Sequence, residues 1–302
     1  MKGTFAAAYL DQIQGTLDRP IVEYFDLISG TSTGGIIALA LALKIPTAQI
    51  LRLYKEQGSR IFPKAKPFWW LGLKEAKYQA SGLREVLQEH FGNRKLGEAC
   101  TRVLIPSLEA HSGKVHIYKN AYHSRLKTDY KAAAVDVAMS TSAAPLYLPA
   151  HKLETGEVLL DGGLWANNPA GIATAEAVGL LQIPCDQIQL LTVGTTDVPV
   201  GAAPRSHQWI KRASYMLELS MAAQSSGSLG VAKTLIGGHR VYRANPTLAQ
   251  GIASLDQTSN LDVLEGLGRS EGRRDSTRLS EIFFPMPAAA FNPCYDLPGT
   301  PS

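Results

Sequence analysis

Short apolar runs bounded by small residues alternate along this chain with segments whose apolar residues recur at helical spacing. Residues 4–17 have that spacing and predict a helix. Residues 24–29 form a brief apolar run ahead of a glycine-rich turn and predict a buried strand. Residues 35–44 predict a strong helix that Ile45-Pro46 stops, and Thr47 is placed to cap the next one, which ends near Gly58. Residues 59–80 carry no periodicity, and Ser81 then caps a helix through residue 90. Strands are predicted over 103–107 and 115–118, an alanine-rich helix over 131–140, and a strand over 157–160. Pro169 sits well at the start of a helix reaching about Leu181, and 187–193 is a buried strand. Strands alternating with helices imply an α/β fold in three layers, with a mainly parallel central sheet covered on both faces.

The tail differs. Residues 200–232 predict a helix, 241–243 a short strand and 261–274 a charged helix, and the stretch after Pro285 is a Pro/Ala-rich extended arm. No repeat and no clear linker interrupts the chain, so residues 1–302 are expected to form a single domain with 240–302 as a helical and extended C-terminal extension.

Composition narrows the class. The chain has 302 residues, 45% of them hydrophobic, enough for a large core. Its net charge of +4 is mild and dispersed, which suits an anionic surface such as phospholipid headgroups better than a nucleic-acid polymer. The three cysteines, Cys100, Cys185 and Cys294, are far apart and match no metal or disulfide pattern, so a reducing, cytoplasmic setting is expected. Cys100 and Cys185 lie in apolar surroundings and are expected in the core. The longest apolar run, 36–43, falls far short of the roughly 20 residues that span a bilayer.

Two motifs carry the chemistry. Gly30-Thr31-Ser32-Thr33-Gly34 follows an apolar strand and opens a helix, the strand–turn–helix setting of a nucleophile elbow. A serine there needs very small flanking residues, which Gly30, Gly34 and Gly35 supply, and the helix N-terminus faces the developing oxyanion. Read alone, Ser32 is as well explained as a helix cap. Asp161-Gly162-Gly163 puts a carboxylate at the end of a buried strand, where a base for Ser32 belongs; read alone, it is a common Asp-Gly turn.

With Lys2-Gly3-Thr4-Phe5, the elbow, Ser140-Thr141-Ser142-Ala143-Ala144-Pro145, Asp161-Gly162-Gly163 and Thr192-Val193-Gly194-Thr195 in that order, the chain resembles the patatin-like phospholipases. The resemblance implies Ser32 as nucleophile and Asp161 as general base, in a dyad without histidine that cleaves fatty acyl esters through an acyl-enzyme and needs no metal or cofactor. A Ser-Asp-His triad with His207 or His239 remains the alternative, as in a soluble carboxylesterase; so does a catalytically silent binding protein on the same fold. The family's oxyanion loop reads Gly-Gly-Gly-x-Arg/Lys-Gly. Here Met1-Lys2-Gly3 matches its last three positions, with the N–H groups of Gly3 and Thr33 left as donors. Loss of one donor costs roughly 100- to 1,000-fold in turnover, so weak or absent activity is expected of the chain as written.

Pro67-Phe68-Trp69-Trp70-Leu71, flanked by lysines, suits either a peripheral membrane contact over the acyl site or ordinary core packing. The elbow and the Leu255-Asp256 segment are also similar to bacterial patatin-like effectors of antiphage systems. That likeness implies a cyclic-nucleotide activator and activator-driven assembly into a homo-oligomer, with no residue assigned to the activator site.

Overall fold

The computed structural model describes residues 3–62, 76–197, 209–248 and 260–297. Phe68, Trp69, Trp70 and His207 lie outside the described residues, as do Met1 and Lys2. The helices are α1 (Gly3–Gln14), α2 (Thr33–Ala42), α3 (Thr47–Glu56), α4 (Gly58–Ile61), α5 (Ala80–Phe91), α6 (Ala134–Thr141), α7 (Gly163–Ala166), α8 (Ala170–Gly179), α9 (Trp209–Ile236) and α10 (Leu261–Phe283). The strands are β1 (Leu27–Ser29), β2 (Arg102–Glu109), β3 (Val115–Lys119), β4 (His151–Lys152), β5 (Val158–Asp161), β6 (Leu190–Val193) and β7 (Val241–Ala244).

The main sheet is mixed, not mainly parallel. It has five strands: β1 pairs β2 in parallel, while β2–β3, β2–β5 and β4–β5 are antiparallel. The parallel pair β6–β7 forms a second, small sheet. The cause is local. Tight returns through Gly113 (φ 66°) and Gly156 (φ 95°) fold β2 onto β3 and β4 onto β5, and a hairpin can only pair antiparallel. The strand before the elbow is also shorter than expected. Residues 21–24 form a 3-10 turn, and β1 has only three residues because it pairs with only the first three of β2.

β2 is the hinge of the arrangement. Leu104 pairs with Ser29 of β1 and Lys119 of β3, and Ser107 pairs with Asp161 of β5 and His116 of β3. A strand has two edges, so β1 and β5 share the edge opposite β3. β1 runs along β2 and ends at Leu104; β5 runs against it and ends at Ser107. Their C-terminal ends therefore meet head to head across Ile105 and Pro106. Proline has no N–H to leave unsatisfied in that gap.

α2 (Thr33-Gly-Gly-Ile-Ile-Ala-Leu-Ala-Leu-Ala) is apolar all round, and every residue from Gly35 to Ala42 is buried, the burial such a composition requires. Several helix starts differ from expectation. Pro46, not Thr47, precedes α3, and the Thr47 hydroxyl instead donates to Asp11 Oδ1 at 2.8 Å. α5 begins at Ala80, with Ser81 inside its first turn. Cys100 and Cys185 are half-buried rather than core residues. α10 extends well past residue 274. Its buried Leu264, Gly268, Gly272, Asp275, Leu279 and Phe283 fall on one face, which lies against α1. A Cβ at Gly268 would stand 2.5 Å from the Phe5 carbonyl, so the two backbones approach closely only because no side chain intervenes. The Tyr9 hydroxyl donates to Asp275 Oδ2 at 2.9 Å within this interface. After α10 the chain runs without regular structure to residue 297, tied down by bonds such as Ala288 N–H to the Glu23 carbonyl at 2.8 Å.

Candidate active site

Ser32 occupies the turn between β1 and α2 with φ 56° and ψ −125°, a conformation that L-residues other than glycine avoid. Such strain persists only where the surroundings over-determine it. Here the Thr31 hydroxyl donates to the Ala166 carbonyl at 2.7 Å, and the Ser32 N–H donates to Thr141 Oγ1 at 3.0 Å. Thr141 passes the tie on to the sheet by donating to the Pro106 carbonyl at 2.6 Å. Gly30 and Gly35 are sterically required: a Cβ on Gly30 would run into the Gly34 carbonyl, and one on Gly35 would lie 2.7 Å from Thr141 Cγ2. Gly34, expected to share that need, does not; a Cβ there would meet nothing within 4 Å.

Asp161 closes β5 and is 3% exposed. Gly163 N–H donates to its Oδ1 at 2.7 Å. Both glycines after it have work that a side chain would prevent. A Cβ on Gly162 would sit 2.6 Å from the Pro106 carbonyl carbon, and one on Gly163 would crowd Asp161 Oδ1 at 3.1 Å. Burial pushes the Asp161 carboxyl up to about 6; the Gly163 N–H and the Ser32 side chain, both near enough to hydrogen-bond it, pull the other way.

The head-to-head ends of β1 and β5 thus bring Ser32 and Asp161 together, although 128 positions separate their numbers (161 − 32 − 1). The segment 140–144 braces both: Thr141 holds the Ser32 amide, and the Ala143 carbonyl accepts from Asp161 N–H at 3.0 Å. An apolar cavity of about 70 Å³ opens beside Ser32 and Thr33 between Ile36, Leu53, Ile61 and Leu148. Gly3 starts α1 against the elbow. A Cβ on it would be 2.7 Å from Tyr54 Cε1 and in collision with the Thr33 hydroxyl. The Tyr54 hydroxyl donates to the Thr33 carbonyl at 2.8 Å, fixing the first turn of α2.

Among the described residues no histidine shares a hydrogen bond with Ser32 or Asp161. His239 is exposed in the turn between α9 and β7. Thr141, Pro106 and Tyr54 contribute to the site without having been assigned a part from the sequence. The Ser-Thr-Ser-Ala-Ala-Pro run was the available signal for Thr141; for Pro106 and Tyr54 the sequence offers none, since their value lies in what folds against them.

A mixed α/β framework that sets a strained serine at a helix N-terminus beside a buried carboxylate has the form of a serine hydrolase. The patatin-like phospholipase family pattern matches residues 1–174. A cGAMP-activated phospholipase of Pseudomonas aeruginosa is 33% identical over 85% of this chain and 80% of its own length. A cGAMP-activated phospholipase of Vibrio cholerae is 29% identical over 65% of this chain, which spans 60% of that protein. Patatin-like protein 1 of Oryza sativa is 31% identical over 64% of this chain, which spans half of that protein. The chain belongs to the patatin-like phospholipase family, serine hydrolases that act on ester bonds.

Proposed function

We propose that this protein hydrolyses fatty acyl esters of phospholipids with Ser32 as nucleophile and Asp161 as its base. The observation that carries this reading is the pairing of a conformationally strained serine with a buried carboxyl that its side chain can hydrogen-bond. Ser32 Oγ attacks the acyl carbonyl carbon while its proton passes to the Asp161 carboxylate. The oxyanion that forms faces the N-terminus of α2, where Thr33 N–H is aligned with the helix dipole and Gly3 lies alongside. Collapse expels the lysophospholipid alkoxide, which takes the proton from Asp161 and leaves an acyl ester on Ser32. Asp161 then takes a proton from water as the water oxygen attacks the acyl carbon, and the Ser32 Oγ–acyl bond breaks with that proton returned to Oγ, which frees the fatty acid and restores Ser32. The apolar cavity beside Ser32 accepts the first methylenes of the acyl chain.

The relatives named for activation by cGAMP support a cyclic-nucleotide activator here as well. To this we add a role as a defence effector and assembly into a homo-oligomer. No helix among the described residues is long and apolar enough to cross a membrane. We assign the protein a cytoplasmic, peripheral position at the bilayer, with Phe68, Trp69 and Trp70 as the contact. The test combines a fluorophosphonate probe with fatty-acid release from phospholipid vesicles, with and without cGAMP. Wild-type protein is expected to label and to release fatty acid, and Ser32→Ala to do neither. Labelling that persists in Ser32→Ala overturns the assignment. Weakened vesicle binding of the double variant Trp69→Ala/Trp70→Ala is expected; undiminished binding removes the proposed contact.

A further inference from the structure

The cavity at Ser32 contains one polar group that the fold does not use. Ser142 caps the C-terminal end of α6 and is 7% exposed, and its Oγ is buried without a hydrogen-bond partner. It is the one such atom among the residues that line the cavity. A buried hydroxyl can donate one hydrogen bond and accept two, and leaving it unpaired opposes folding. An alanine would fill the same place in an apolar wall without that cost.

The position of Ser142 is fixed to both reacting groups. Thr141, before it, holds the Ser32 amide at 3.0 Å; Ala143, after it, accepts from the Asp161 amide at 3.0 Å. Its own N–H is bonded into α6, to the Ala138 carbonyl at 3.2 Å. Most of the rest of the lining is apolar, and the other free hydroxyl among its described residues is that of Thr33, beside Ser32 itself. Ile36, Leu53, Ile61 and Leu148 are apolar, and the Tyr54 hydroxyl is engaged with the Thr33 carbonyl. A fatty acyl group has one polar feature, its ester. With the acyl carbon at Ser32 Oγ, the two ester oxygens come to the mouth of this cavity.

We propose that the Ser142 hydroxyl donates a hydrogen bond to an oxygen of the bound ester and so orients the acyl group for attack by Ser32. Ser142 is then a substrate-orienting residue whose partner is the ligand. The inference rests on the hydrolase reading above and goes beyond it, because a Ser32–Asp161 dyad does not itself require a hydroxyl at this position.

The test compares Ser142→Ala and Ser142→Thr with the wild-type protein, using p-nitrophenyl acyl esters and the rate of fluorophosphonate labelling, with cGAMP present, and thermal melts of each. In Ser142→Ala, kcat/KM and the labelling rate are expected to fall roughly 10- to 100-fold, the size of one lost hydrogen bond at a reacting centre. The Tm is expected to stay level or rise, since an unpaired buried hydroxyl has been removed. Ser142→Thr keeps the hydroxyl and is expected to recover most of the rate. A Ser142→Ala protein as fast as wild type overturns the inference, and so does one that loses rate and Tm together. A wild-type protein that neither hydrolyses ester nor takes up the probe overturns the hydrolase reading and this inference with it.

Discussion

Ser32 is held at φ 56° by bonds from its neighbours rather than by its own preference, so the turn stores strain. A residue in such a region costs of the order of 1–3 kcal/mol, which glycine escapes apart from its greater entropy in the unfolded chain. Ser32→Gly is therefore expected to be inactive yet more stable than wild type by about 1 kcal/mol, read from denaturant midpoints. Asp161 carries the second tension. Its folded-state pKa of about 6 lies above the ordinary 3.8. Between those values the unfolded chain has lost this proton and the folded one keeps it. Stability thus falls as pH rises across the window and stays low above it, by up to about 3 kcal/mol for a shift near 2 units. Asp161→Asn is expected to be inactive and more stable than wild type at pH 7, with the difference vanishing below pH ~4; melts across pH measure this. In the wild-type protein kcat/KM is expected to climb through pH 6 as the carboxylate forms. At this scale the two turns were readable in advance, because Gly-x-Ser-x-Gly after a strand and Asp-Gly-Gly after another are local patterns with local causes.

At the level of elements, α6 works as a brace. Its last residue, Thr141, accepts from the Ser32 amide and donates to the Pro106 carbonyl, linking the elbow to β2. Thr141→Val keeps the shape and removes both bonds. It is expected to cost about 1–3 kcal/mol of stability and at least tenfold in kcat/KM, measured by melts and ester hydrolysis. The helix α2 was legible because an all-apolar run of that length can only be buried. The sheet was less so. Alternating strand and helix patterns suggested parallel pairing, but three of the four pairings in the main sheet are antiparallel: β2–β3 and β4–β5 through the returns at Gly113 and Gly156, and β2–β5 through the long connection that brings β5 back against β2. The residues near both returns, Ser112-Gly113 and Thr155-Gly156, are ordinary turn formers, and strand periodicity is the same for either direction of pairing.

For the molecule as a whole, the unexpected feature is how α10 reaches the site. It packs along α1 through Gly268 and Gly272, and α1 in turn begins at Gly3, against Thr33 and Tyr54. A segment read as a C-terminal extension is thus two contacts from the nucleophile. Gly268→Leu would force α10 off the Phe5 carbonyl and Ala8. It is expected to lower Tm by several degrees and to reduce ester hydrolysis as well, although residue 268 touches no substrate. Unfolding is expected as one cooperative transition, with α10 exchanging amide hydrogens as slowly as α2; early exchange confined to α10 would show that it is an independent appendage.

The sequence by itself determined the elbow motif, the apolar helix behind it and the family, and it supplied the candidates Ser32 and Asp161, because each depends on residues close together in the chain or on their order. The tertiary structure alone decided that β1 and β5 end head to head on one edge of β2, that Thr141 and Pro106 join the two turns, that Gly34 is not sterically required, and that the Ser142 hydroxyl, at a residue lining the cavity, is left without a partner. Those outcomes depend on strand direction, register and which groups remain unpaired after folding, and none of the three is encoded in any single stretch of residues.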